Sequence, residues 1–137
     1  MRADEIMSSP VFGVTPDARV EEAANLIVAR GFTSVPVVGT AGQLVGVVTE
    51  ADIARARIVP GPRGESTPDS GAATGTRPYQ VRQIMRRPVP AVGPGAELTA
   101  VAGVLLDSQQ RWVPVVDGGK LVGVISWRDL LRGLVSR

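Results

Sequence analysis

Leu44-Val45-Gly46-Val47-Val48-Thr49-Glu50-Ala51-Asp52 returns later in the chain as Leu121-Val122-Gly123-Val124-Ile125-Ser126-Trp127-Arg128-Asp129. Each stretch has the same grammar: a β-branched run, a hydroxyl residue, and an aspartate three positions on. The run reads as a strand. The hydroxyl residue followed at the third position by a carboxylate reads as the start of a helix, with Thr49 and Ser126 as N-caps. Working outward, the likeness extends over most of the chain. Ile6-Met7 returns as Ile84-Met85, Pro10-Val11 as Pro88-Val89, and Val14, Pro16 and Ala18 as Val92, Pro94 and Ala96. Val35-Pro36-Val37-Val38 returns as Val113-Pro114-Val115-Val116 at the same offset, and one deletion precedes the second Leu-Val-Gly-Val. Chance similarity does not hold register this long, so the chain is an internal duplication.

Each copy predicts the order β-α-β-β-α. Val11–Val14 reads as a short strand between Pro10 and Pro16. Val20, Ala23, Ala24, Ile27 and Val28 form one apolar helical stripe, repeated as Leu98, Val101, Ala102, Leu105 and Leu106. Asp17 is the expected N-cap of the first of these helices, and Gly31 closes it. Two strands follow, Val35–Val38 and Leu44–Thr49 in the first copy, Val113–Val116 and Leu121–Ser126 in the second. Glycine-rich turns join them, and a short closing helix begins near Glu50 and near Trp127. The stretch 60–78 is rich in Gly, Pro, Ser and Thr and reads as a flexible linker. The expected division is therefore 1–59, first repeat; 60–78, linker; 79–137, second repeat. A unit this small buries too little surface alone, so the expected class is α/β, with the two units packed as a pseudo-two-fold pair.

Composition narrows the function. The chain has 137 residues, 44% of them hydrophobic but only 4% aromatic, so the core is built of Val, Leu, Ile and Ala. It has no Cys and no His, which excludes thiol and imidazole catalysis and Cys/His metal sites. No nucleophile–base pair or glycine-rich phosphate loop is present, so no enzyme is expected. The sequence pI is near 9.9, yet the net charge is only +2 and the arginines are spread. A nucleic-acid binder would concentrate them. Met1–Met7 lacks the apolar core of a signal peptide and no run is long enough to cross a bilayer. A soluble cytoplasmic protein without membrane or nucleic-acid partners is expected.

The duplicated pattern resembles the CBS domain in its tandem form, the Bateman module. The residues that carry the resemblance are Ile6-Met7 and Ile84-Met85, Ser34-Val35-Pro36-Val37-Val38 and Trp112-Val113-Pro114-Val115-Val116, and above all the two nine-residue stretches quoted first. It covers nearly the whole chain outside 60–78. It implies a regulatory, non-catalytic fold that binds AMP, ADP or ATP, or S-adenosylmethionine or another adenosine ligand, in a cleft between the repeats. It also implies a homodimer and a separate regulated protein. No metal or resident cofactor is expected. The alternative is a CBS dimer with empty sites that serves as an interaction scaffold.

By the same resemblance, the Thr/Ser-x-x-Asp pairs hold the ribose. An ionised aspartate offers acceptors for two adjacent hydroxyls, and the helix start beside it favours a phosphate. One site is expected to join Thr49 and Asp52 to Val92, Trp112, Val113 and Pro114. The other joins Ser126 and Asp129 to Thr15, Ser34, Val35 and Pro36. Adenine would lie along the Val-Pro segments and be read by backbone groups. Arg128 is the first choice for the phosphate, ahead of Arg55, Arg111 and Arg132. Trp112 either stacks on a base or plugs the first site. Gly93 and Gly95 stand where the first copy has Thr15 and Asp17, so the site with Ser126 and Asp129 is expected to fill in preference. Arg86-Arg87 reads as a solvated pair. The bland reading of Thr49 and Ser126 is as helix caps, and of Asp52 and Asp129 as solvated first-turn acids. In the ligand reading, Asp129→Ala is expected to weaken nucleotide binding with little loss of stability.

Overall fold

The two Val-Pro-Val-Val runs become buried strands because their β-branched side chains pack well on a pleated surface. In a computed structural model, residues 1–9, 11–58, 79–108 and 110–136 are described. The elements are α1 (Ala3–Ile6), α2 (Val20–Arg30), β1 (Ser34–Val38), β2 (Leu44–Thr49) and α3 (Glu50–Arg57). A 3-10 turn (Val81–Gln83), α4 (Leu98–Ser108), β3 (Trp112–Asp117), β4 (Lys120–Ser126) and α5 (Trp127–Val135) follow. β1 pairs with β2 and β3 with β4. The β3–β4 ladder is antiparallel and sets Trp112 opposite Ser126 and Val113 opposite Ile125. The α/β class expected from the sequence is the class observed. The linker read at 60–78, and Pro10, lie outside the described residues.

Packing divides the chain into two compact units. One contains Met1–Phe12, Thr40–Leu44 and Pro88–Arg137; the other contains Gly13–Gly39 and Val45–Arg87. The Ile-Met segment at the head of each repeat thus packs with the sheet and closing helix of the sister repeat. In the unit holding Asp52, the core is Ala18, Ala23, Ile27, Val35, Val37, Val48 and Val81, with Ile84 and Met85 against it. In the unit holding Asp129, it is Ala3, Val92, Leu98, Val101, Leu105, Val113, Val115, Ile125 and Leu130, with Ile6, Met7 and Trp127 against it.

The glycine of each Leu-Val-Gly-Val run explains that packing. A Cβ at Gly46 would lie 2.8 Å from Met85 Sδ, and a Cβ at Gly123 would meet Met7 Sδ in the same way. Without a side chain, each strand accepts the methionine closely. The residue after each methionine then bridges the strand. Arg86 N–H donates to Val47 O at 2.8 Å and Val47 N–H to Arg86 O at 3.0 Å; Ser8 and Val124 exchange the same pair at 2.8 and 3.1 Å.

Three local expectations change. The strand read over 11–14 shrinks to a single parallel bridge, Val14 to Val37, matched by Val92 to Val115. Val14 N–H donates to Pro36 O at 3.0 Å and its carbonyl accepts from Val38 at 2.8 Å. Pro16, without an N–H, stops the ladder from running on. The N-cap of α2 is Arg19 rather than Asp17. Asp17 is engaged by the Thr15 hydroxyl at 2.7 Å, and the Glu22 carboxylate accepts the Arg19 N–H at 3.3 Å. Finally, the core stripes are narrower than read: Val28 is 82% exposed and Leu106 66%. Gly31 does close α2, in the left-handed region at φ 70°. Of the C-terminal apolar residues, Leu130 is core while Leu131, Leu134 and Val135 are exposed.

Candidate functional site

Each unit carries one duplicated helix start, and the two are built alike. At the head of α3, the Asp52 N–H donates to Thr49 Oγ1 at 3.1 Å, and the Thr49 N–H donates to an Asp52 carboxylate oxygen at 3.0 Å. At the head of α5, the Asp129 N–H donates to Ser126 Oγ at 3.2 Å, and the Ser126 N–H donates to Asp129 Oδ2 at 2.9 Å. These are reciprocal capping boxes. The N-cap assignments of Thr49 and Ser126 are therefore correct, and the caps fix each carboxylate in one orientation.

The aspartates are not solvated acids. Asp52 is 5% exposed and Asp129 6%, and among the described residues they are the buried charged groups. A buried carboxylate needs partners, and each finds two beyond its cap. Arg55 Nη1 donates to Asp52 Oδ1 at 3.2 Å, and Arg132 Nη1 donates to Asp129 Oδ1 at 3.1 Å. The remaining partner comes from the Ile-Met segment, and here the two sites part. Arg86 Nε donates to both oxygens of Asp52, at 2.9 and 3.1 Å, and its Nη2 lies 2.9 Å from Oδ1. Ser8, the counterpart of Arg86 in the repeat, sets its hydroxyl 3.2 Å from each oxygen of Asp129. Burial opposes ionisation of Asp52, but the hydrogen bonds from Arg86 and from Thr49 outweigh it and hold its carboxyl below the ordinary carboxylate range.

Sequence reasoning missed Ser8 altogether and read Arg86 as solvated; Arg86 is instead the bidentate partner of Asp52. The available signal was positional, since Ser8 and Arg86 occupy equivalent places after the two Ile-Met pairs.

The remaining predicted residues fall as follows. Thr15, Ser34, Val35, Pro36, Thr49 and Asp52 lie in one unit, and Val92, Trp112, Val113, Pro114, Ser126, Arg128 and Asp129 in the other. Val35 and Val113 point into their cores, and Pro36 and Pro114 are buried as well. What these strands offer a ligand is backbone. The carbonyls of Pro36 and Pro114 already accept from Val14 and Val92, both at 3.0 Å. Trp112 is half-buried and stands directly across the ladder from Ser126. Thr15 and Arg128 are exposed. Among the described residues, no cluster of three or more His, Cys, Asp or Glu could hold a metal ion, and no helix is long and apolar enough to cross a membrane.

Comparison with known proteins places this geometry. A family model for the CBS domain matches residues 3–59 and 81–136. An uncharacterised 17.7 kDa protein of Acidianus ambivalens is 27% identical over 136 residues, covering 98% of this chain and 74% of that one. Homoserine O-acetyltransferase of Methanohalophilus mahii is 28% identical over 134 residues, covering 97% of this chain but only 24% of the enzyme. The chain thus spans most of one such relative and about a quarter of the other. Among solved structures, CBSX2, a CBS-pair protein of Arabidopsis thaliana, in complex with AMP superposes with a TM-score of 0.82 at 25% identity, covering 98% of this chain and 96% of that one.

Proposed function

The chain belongs to the CBS-domain family as a tandem pair, and from that premise we propose that it is a non-catalytic regulatory module that binds an adenine nucleotide (AMP, ADP or ATP) or a related adenosine ligand. One observation carries this reading. Asp129 is a buried, cap-oriented carboxylate whose partner from the Ile-Met segment, among the described residues, is a hydroxyl at 3.2 Å. A serine hydroxyl has one proton for two carboxylate oxygens, so acceptor capacity remains for the adjacent hydroxyls of a ribose. The AMP complex of CBSX2, alike over nearly its whole length, supports the choice of ligand.

In this reading Asp129 and Asp52 are the ribose carboxylates, and Ser126 and Thr49 hold them and mark the phosphate end of the helix start. Backbone groups of Ser34-Val35-Pro36 and Trp112-Val113-Pro114 read the base, with Val92 beside them. Arg128, which is exposed, serves the phosphate, and Thr15 lines the Asp129 site. The module acts in the cytoplasm as a homodimer on a separate regulated protein. The alternative, an empty scaffold, draws on the exposed Leu131, Leu134 and Val135 of α5.

A ligand held only by the folded state stabilises it. With AMP at a hundredfold excess over its Kd the gain is ~2.7 kcal/mol, a rise in melting temperature of roughly 10 °C for a chain of this size. Thermal denaturation with and without millimolar AMP measures it. Melting curves that AMP, ADP, ATP and S-adenosylmethionine all leave unmoved would replace the ligand-binding reading with the scaffold.

A further inference from the structure

We propose that Arg86 is a built-in occupant of the Asp52 carboxylate, so that the chain presents one high-affinity nucleotide site, at Asp129, and keeps the equivalent site at Asp52 weaker. This rests on the nucleotide-binding reading and adds to it the inequality of the two sites.

The duplication supplies an internal control. Both carboxylates are capped by the same reciprocal hydrogen bonds, and both accept an arginine one helical turn on. Among the hydrogen-bond partners of the two carboxylates, the difference in charge falls at one position, Arg86 against Ser8, delivered by the same backbone bridge to the strand. The helix start does not need the arginine, because the sister helix forms with a serine in its place. What the arginine changes is the state of the carboxylate. Both Asp52 oxygens accept from Arg86 Nε, Oδ1 lies within ion-pair distance of Nη2, and Oδ2 also accepts the Thr49 N–H. A carboxylate has about four acceptor directions. Two ribose hydroxyls can therefore reach Asp52 only by displacing a fork-like guanidinium, a strong type of carboxylate partner. At Asp129 they displace at most one hydroxyl proton, and rotation about a single bond moves it away. The Arg86 side chain is itself 58% exposed, so its hold is moderated by water, and the Asp52 site is expected to bind about fivefold more weakly than the Asp129 site.

Titration calorimetry of the full chain with AMP tests this. The expected result is two unequal sites in the parent chain, the tighter one lost in Asp129→Ala. Arg86→Ser should bind two equivalents at like affinity, and Arg86→Ser with Asp129→Ala should bind its one equivalent about fivefold more tightly than Asp129→Ala does. The reciprocal change, Ser8→Arg, should weaken the Asp129 site by about fivefold; it provides an independent arm should Arg86→Ser fold poorly. The proposal is overturned if the parent chain binds two equivalents at equal affinity. It is also overturned if Arg86→Ser leaves the Asp52 site unchanged or weaker (the latter would make Arg86 a phosphate ligand), or if Ser8→Arg binds as the parent does. A parent chain that binds no AMP removes the nucleotide reading and this inference together, whereas AMP binding at Asp129 with no response to either exchange removes this inference alone.

Discussion

Leu105→Ala is expected to lower folding stability by about 2–5 kcal/mol, the range for truncating a buried leucine. Leu105 is 1% exposed and sits on α4 in the core with Val113, Val115, Ile125 and Leu130. These are the residues that hold β3 and α5, and with them Ser126 and Asp129, in place. Urea denaturation checks the value. The adjacent Leu106→Ala serves as the control: at 66% exposure its effect should stay within about 0.5 kcal/mol. Equal losses at both positions would contradict the burial pattern assigned to α4.

Asp129→Ala is expected to weaken AMP binding by about 1.5–3 kcal/mol, the range for hydrogen bonds to a charged group, or roughly 10- to 150-fold. The structure also corrects the expectation of an almost neutral effect on stability. Asp129 is buried and accepts hydrogen bonds from the Ser126 N–H, from Arg132 and from Ser8. Loss of the reciprocal cap alone is worth about 1 kcal/mol. Calorimetry and denaturation should be run on the same variant, and Ser126→Ala separates the two effects. Removing the hydroxyl should reproduce much of the lost stability while the carboxylate remains to bind. Unchanged AMP affinity in Asp129→Ala would dismiss the carboxylate as a ligand group.

Local signals made most of the fold legible in the sequence. The β-branched runs, the glycine that ends α2 and the hydroxyl residues that start α3 and α5 each act through neighbours a few positions away, and the duplication allowed every assignment to be checked twice. The strand over 11–14 failed because proline removes ladder donors, which leaves one residue rather than four to pair. Asp17 failed as a cap because a closer neighbour, Thr15, took its carboxylate. In the candidate site, the carboxylates and hydroxyl residues were visible as a pattern, but their burial was not. Neither was the pairing of Asp52 with Arg86. That pairing depends on which sheet the Ile-Met segment docks against, and the information lies in Gly46 accepting Met85 and Gly123 accepting Met7, fits that no periodicity announces.

A ribose gripped by a buried carboxylate predicts a simple chemical dependence on its hydroxyls. Calorimetric titration of the parent chain with AMP and with 2′,3′-dideoxy-AMP measures it most directly. The dideoxy compound should bind at least about tenfold more weakly, and that gap should vanish in Asp129→Ala. Equal affinity of the parent chain for the two nucleotides would contradict the account.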